Sequence, residues 1–442
     1  MTSISPDPTI DRQGSPNLIG PKLDIPLLGQ KPIQNKPAWF VATLVFAQFA
    51  LFVGLLGPVM VTMALKINTL TSDPAQQASW IGSVLAPGAL AALFANAFFG
   101  RLSDRTTGRW GRRRPWIIAG VLVMMLALVL IAMASGKGML TLGWFLAQMG
   151  ANAAFSPYVA TMADQLPDTQ YGKVSGLVGM AQNIGIFAAT ALGSMLATNT
   201  LMMFLVPGII SAIGMILYAL CLPEPVLRQN AYPFDAKTFF GSFWTNPFRF
   251  PDFGLVWWGR FFITLASFLF TTFRLFYMKQ HLGFGDDDVA AAAAVTTGVG
   301  IYTVVLIISS VTAGWISDRT GKRKMLVAFS TALFALGTYL LLHAGSVTHF
   351  YLIEALMGFA FGIYAAVDFA LVLDVLPNPD DAGKDLGVFN MANALPQSLA
   401  PYFGSYLLGT LGGGTNFTWL FTIAGIAGLL GAVIVLPIKG AK

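Results

Sequence analysis

Four charged residues stand inside stretches of sequence that are otherwise apolar: Arg260 and Arg274 in one, Glu354 and Asp368 in another. Within each stretch the two charges are fourteen residues apart. That is about 21 Å of helical rise and close to four whole turns, so each set falls on one helix face. If the two stretches cross a membrane in opposite directions, Arg260 comes level with Asp368, and Arg274 with Glu354. An unpaired charge in hydrocarbon costs about 2.5–3.5 kcal/mol even on the lenient insertion scale. Two rungs of opposite charge are therefore expected. A carboxylate beside a mobile arginine can bind and release a proton as the arginine approaches and withdraws. Asp368 is the expected coupling residue, with Arg260 as its partner and Arg274 with Glu354 as the second pair. The competing reading has each charge reach to its nearer surface, which suits the short side chain of Asp368 least.

The elements that must hold these charges follow from composition. With 55% hydrophobic and 10% charged residues among 442 and a mean hydropathy of +0.68, the chain has too little polar surface to coat a soluble globule. Twelve apolar segments are long enough to cross a bilayer: 39–65, 79–100, 115–134, 140–164, 174–198, 200–222, 253–280, 289–315, 325–343, 349–376, 386–410 and 416–438. The expected class is an all-α membrane protein. Of the 26 Lys and Arg residues, 21 fall on the side of the termini and three, Lys66, Lys137 and Lys279, on the other. By the positive-inside rule both termini are cytoplasmic, and the expected site is the plasma (inner) membrane. The polar, proline-bearing residues 1–38 read as a disordered cytosolic tail rather than a cleavable signal. A linker at 223–252 has aromatic spacing over Asp235 to Phe253 that suits an interfacial helix. It separates bundles at 39–222 and 253–438. One cysteine and three histidines make disulfide and metal chemistry poor expectations, so no cofactor is implied. The net charge of +6 follows membrane topology and does not point to nucleic acid.

The halves echo one another. GRLSDRT at 100–106 returns as GWISDRT at 314–320, and ADQLPDTQYGKVSG at 163–176 as LDVLPNPDDAGKDLG at 373–387. Twelve spans in two six-helix halves, with G-x-x-S-D-R after the second helix of each, resemble the major facilitator superfamily. SDRTTGRWGRRRPW, AQFALFVGLLGPV (47–59) and DLGVFNMANALPQSLAP (385–401) narrow the resemblance to the sucrose/proton symporters and their bacterial relatives in the glycoside-cation symporter group. The resemblance implies a secondary transporter with a central cavity lined by helices 1, 4, 7 and 10. The motif supports gating: Gly100 and Gly314 permit close helix approach, and Asp104 with Arg105, and Asp318 with Arg319, stand at helix ends. Asp164 is the natural partner of Arg112, Arg113 and Arg114, and Asp374 of Lys322 and Arg323. Such pairs would latch the cytoplasmic side. Static anchoring of loops is the competing reading.

Polar residues inside spans are costly unless they face water or a partner, so they are candidate substrate contacts. Gln48, Gln148, Asn152, Gln182, Asn183, Asn390, Asn393 and Gln397 could bond sugar hydroxyls, and Trp80, Tyr158 and Tyr364 could stack on a sugar face. For any single amide, bonding between helices is an equal alternative. One departure matters: the aspartate and arginine that proton-coupled sucrose carriers hold on helix 4 align with Gln148 and Val159 here. The expected function is import of a glucoside-type sugar with a proton by a monomeric carrier embedded in lipid. Efflux of amphipathic compounds and a non-transporting membrane scaffold are the alternatives. No enzyme is expected, because no nucleophile–base pair or phosphate loop appears.

Overall fold

The computed structural model describes residue 32 and residues 34–224, 248–377 and 382–440. Most of the expected tail, the linker and its interfacial helix lie outside the described residues. Twelve helices follow in chain order: α1 (Ala38–Asn68), α2 (Pro74–Arg105), α3 (Arg114–Ala132), α4 (Lys137–Gln165), α5 (Asp168–Met195), α6 (Thr200–Cys221), α7 (Pro251–Gln280), α8 (Asp288–Thr320), α9 (Arg323–Leu340), α10 (Val347–Asp374), α11 (Ala382–Ser405) and α12 (Thr418–Ile434). Among the described residues, nine of them are long and apolar enough to cross a membrane. The protein is an all-α, multi-pass membrane protein of two six-helix halves. Two helices change winding: α1 passes through a π-helical stretch at Pro58–Thr62, and α11 runs on into another at Tyr406–Leu411.

Helices α2 and α8 outlast their apolar runs. A hydropathy reading stops at the first charges, whereas the backbone hydrogen bonds continue, so the GRLSDR and GWISDR motifs form the last turns of α2 and α8 instead of loops. Asp73 and Asp287 cap the two helices at their other ends, each accepting from a backbone N–H of the first turn.

Each half is made of two packed triples. In the first half α1 packs on α5 and α6, and α4 on α2 and α3; in the second, α7 packs on α11 and α12, and α10 on α8 and α9. Lipid tails are as apolar as leucine, so small residues that let backbones approach provide much of the attraction. A Cβ on Gly120 would lie 2.6 Å from the Gly150 carbonyl, and one on Gly362 would lie 2.4 Å from that of Leu306. The outer helices α3 with α6, and α9 with α12, close the back of each half. The inner helices, α1 with α4 and α7 with α10, have little direct packing. A seam therefore runs down the inner face of each half.

The halves meet at the ends remote from the termini, called here the far side. Gly82 of α2 packs against Pro401 and Ser405 of α11, Gly300 of α8 packs against Phe187 of α5, and Gly414 packs against Pro74 and Ala75. Thr296 of α8 donates to the Thr190 carbonyl of α5 at 3.2 Å. Toward the terminal side the interface helices become exposed: Phe94 and Phe98 on α2, Leu177 and Met180 on α5, and Val311 and Trp315 on α8. The protein is closed on the far side and splayed toward its termini.

Candidate functional site

Both charged rungs lie on the seam of the second half. Arg260 of α7 meets Asp368 of α10 at 3.2 Å, and Arg274 meets Glu354 at 3.0 Å. An arginine is long enough to bridge two helices that otherwise barely touch, and its planar head can pair while stacking. Arg260 lies over the Phe389 ring of α11 at 4.3 Å and Arg274 over Phe270 at 4.4 Å. The rungs differ in access. Glu354 is 0% exposed and Arg274 5%, whereas Arg260 retains 19% side-chain exposure beside Asp368 at 6%. The Arg260 rung is thus partly open at its surface, while the Arg274 rung is sealed. Near the accessible rung Thr264 donates to Asn393 at 3.5 Å. Tyr364, one turn from Asp368, has a buried hydroxyl that faces the Asp368 carboxylate.

The first half carries its amides in two groups. Gln48 of α1 donates to Gln182 of α5 at 3.1 Å. Asn96 of α2 donates to Asn152 of α4 at 3.2 Å, and Asn152 donates to the Gln148 carbonyl at 2.9 Å. The Gln48–Gln182 and Asn96–Asn152 bonds join helices to each other, whereas the Asn152–Gln148 bond stays within α4 and Asn183 bonds the Gly179 carbonyl of its own helix. Tyr158 does not fit the stacking expectation. It is fully buried, donates to the Leu44 carbonyl at 2.8 Å and packs between Phe155 and Tyr218, which leaves no ring face for a sugar in this conformation. Trp80 stands near the far end of α2, away from these groups. Gln397 and Asn393 are half-buried and Asn390 is exposed on α11.

At the terminal side the arginine cluster forms a network inside the first half. Asp164, at the end of α4, accepts from Arg112 at 2.7 Å and from Arg113 at 3.1 Å, and Arg113 also reaches Asp104 at 2.7 Å and Ser103 at 2.8 Å. Arg114, also expected on Asp164, turns instead to the Leu222 carbonyl, to which it donates. Glu224, past the end of α6, accepts the backbone N–H groups of Arg113 at 2.5 Å and Arg114 at 3.1 Å. It serves the start of α3 as an N-terminal cap supplied from elsewhere in the chain. Burial pushes the Glu224 carboxyl above the usual carboxylate range, against the opposing pull of those N–H groups and of Arg113 and Arg112. The second half repeats this only in outline. Arg323 meets Asp374 at 2.5 Å, Asp318 is exposed and Arg319 lies over the Trp315 ring. Gly100 makes the expected close approach, to Ser156, but a Cβ on Gly314 would meet nothing within 4 Å. All of these ion pairs join elements of one half, and they are intact while the terminal side is splayed. They do not tie one half to the other.

The sequence profile described as Major Facilitator Superfamily matches residues 38–303 and 275–441. The chain belongs to this superfamily. Membership makes it a membrane transporter and not an enzyme. Among solved structures the nucleoside transporter NupG is similar with a TM-score of 0.70 at 16% identity, over 90% of this chain and 99% of that one. The D-xylose-proton symporter is similar with a TM-score of 0.68 at 17% identity, over 92% and 100%. At such identities the likeness is one of fold. Two curated relatives match in part. A Mycobacterium tuberculosis multidrug resistance protein B homolog is 31% identical over 140 residues, which is 31% of this chain and 25% of the relative. The uncharacterized MFS-type transporter YfiU of Bacillus subtilis is 30% identical over 126 residues, 28% and 23% respectively. The chain thus matches about a quarter of the length of either relative.

Within the superfamily fold, several contributors to the site had little signal in sequence. Asn96 is a lone amide in the apolar run ALFANAFF, and only its polarity marks it. Thr264 and Phe389 look like ordinary residues of apolar spans. Glu224 could have been noticed as the first acid after α6, where LPEP breaks the helix. Lys66, expected in an outer loop, is instead buried in the tip of α1 and donates to the Ala132 carbonyl at the end of α3 at 2.9 Å.

Proposed function

We propose that this transporter moves a small polar solute of the sugar or glycoside class across the plasma membrane by alternating access, together with a proton, with both termini cytoplasmic. The observation that carries the reading is the Arg260–Asp368 bridge, a protonatable pair on the seam between α7 and α10 that is partly open at its surface. With Asp368 ionised, the bridge holds the two triples of the second half together. Protonation removes the attraction and frees Arg260, so proton uptake changes how these helices sit. The amides Gln48, Gln182, Asn96, Asn152 and Gln148 offer donors and acceptors for hydroxyl groups, with Asn393, Gln397 and Tyr364 opposite them in sequence. The Arg112, Arg113, Asp104 and Asp164 network and its partial repeat at Arg323 and Asp374 keep the helix ends of each half rigid as the halves rock. The resemblance to sucrose/proton symporters supports the solute class, and the 21 basic residues on the terminal side support the orientation.

The test is uptake of a radiolabelled sugar and glycoside panel into proteoliposomes under an imposed pH gradient, with and without an uncoupler. Accumulation that the uncoupler abolishes is the expected result. Failure of every sugar to accumulate or to exchange overturns the solute class. A second reading, efflux of amphipathic compounds, is favoured by the aromatic ladder Trp257, Trp258, Phe261 and Phe262 beside Arg260 and by the partial likeness to the multidrug resistance homolog. Extrusion of a lipophilic dye by cells expressing the chain, without sugar uptake, would favour it.

A further inference from the structure

On the far side, one carboxylate oxygen accepts from both halves. Asp288 opens α8, and its Oδ1 accepts from Lys279 Nζ of the same half at 2.6 Å and from Asn68 Nδ2 of the other half at 2.9 Å. Lys279 is nine-tenths buried at the end of α7. The Oδ1 of Asn68 is buried and has no partner, so the amide is held across the interface by its N–H alone. Asn68 ends α1, just past the π-helical stretch at Pro58–Thr62 that packs against α7 and α5.

We propose that Asn68 and Asp288 are the latch of the far-side gate, bonded while the carrier is open toward its termini and parted when it opens to the far side. The chemistry suits a bond that must break in each cycle. Lys279 belongs to the same half as Asp288 and moves with it, so the carboxylate keeps its counter-charge in both states. Only the hydrogen bond from Asn68 is exchanged for water. A full ion pair across the gate would leave two uncompensated charges on opening, costly even at a partly buried site such as this, where Asp288 is one-third exposed. A neutral donor to a charged acceptor is strong enough to bias a two-state equilibrium without freezing it. Around it Gly82 on Ser405 and Gly300 on Phe187 are close-packed, and the Thr296 hydroxyl on the Thr190 carbonyl joins two neutral groups, so among these contacts the bond from Asn68 is the one that uses a charged acceptor. This inference rests on superfamily membership alone and stands whatever the solute or coupling ion.

The measurement is double electron–electron resonance on a Cys221→Ser background in nanodiscs. One spin-label pair is placed on far-side loops at Ser135 and Gly345, and another on the terminal side at Gly108 and Thr320. Asn68→Ala removes the donor. Asn68→Asp sets a second carboxylate against Asp288 at almost unchanged volume. Asp288 itself is left intact, since altering it would strip Lys279 of its counter-charge. The expected result is a rise on the order of tenfold in the ratio of far-open to far-closed populations for Asn68→Ala. The far pair lengthens as the terminal pair shortens, and Asn68→Asp goes further in the same direction. Distance distributions unchanged in both variants overturn the proposal. So does a far-side change without the reciprocal terminal-side change, because that would report local fraying and not gate opening.

Discussion

The two halves share one plan of paired helix triples, yet their inner seams are closed by different chemistry. Between α1 and α4 the first half uses neutral groups: the Tyr158 hydroxyl on the Leu44 carbonyl, Phe52 edge-on to Phe155, and nearby Thr161 against Tyr218 at 2.5 Å. Between α7 and α10 the second half uses two ion pairs, each with its arginine laid over a phenylalanine. Phenol and hydroxyl groups hold the same proton at any physiological pH, so the first seam is indifferent to protons. The second is held by carboxylates and is not. On the proposed function the proton-sensitive joint belongs to the second half, and the absence of the expected acid at Gln148 suits that division.

The comparison breaks most easily at the sealed rung. Glu354→Ala leaves Arg274 charged and alone in the core, and should cost about 3–5 kcal/mol of stability, read as a large drop in melting temperature in detergent. Tyr158→Phe on the other seam should cost about 1 kcal/mol. Equal losses in the two variants would mean that the seams are energetically alike. At the accessible rung Asp368→Asn, close in shape to the protonated acid, should fold normally, lose accumulation driven by a pH gradient, and retain solute exchange. Continued pH-driven accumulation would remove Asp368 from the coupling route. On the first half, Asn152→Ala or Gln148→Ala should weaken apparent solute affinity by about 1–3 kcal/mol at unchanged melting temperature; lowered stability with unchanged affinity would make these amides ties between helices only.

The smallest effect concerns Glu224, whose carboxyl burial raises above the usual range. The folded form then holds the proton more tightly than the unfolded form. Its stabilising contribution is complete below the ordinary carboxylate pKa and is lost as pH rises through the folded value. Glu224→Gln should therefore flatten the pH dependence of the melting temperature just above the carboxylate range. The melting curves of parent and variant should run parallel near neutral pH, and a parallel course throughout would assign the acid no linkage.

Much of this was legible in the residues. Twelve spans follow from run length, because hydrocarbon admits few alternatives to an apolar helix. The two rungs follow from equal spacing on antiparallel helices. Other features were not legible. Helix α4 is apolar on most sides, so nothing in its sequence told that Tyr158 faces the seam of its own half. Nor did the repeated motif reveal that its pairs stay within each half: both aspartates are exposed, yet among the described residues Asp104 binds Arg113 and Asp318 takes no such ion pair, although both sit in the same S-D-R-T. Ion-pair partners depend on how neighbouring helices are placed, and a local motif does not encode that.

The π-helical stretch in α1 has a consequence for register. An α-helix turns about 100° per residue, so Asn68 in an unbroken helix would stand about 160° around the axis from Gln48. Accommodating one extra residue in a wider turn brings that angle to about 100°. The same helix can then aim Gln48 at Gln182 in its own half and Asn68 at Asp288 in the other. Deleting Val59 would remove the extra residue and let Pro58–Thr62 revert to ordinary winding with that angle kept. Winding the stretch as an ordinary α-helix with every residue retained would instead swing the tip of α1 by about 100° and carry Asn68 out of reach of Asp288, so that one residue too many in the middle of a helix is what aims the contact at its end.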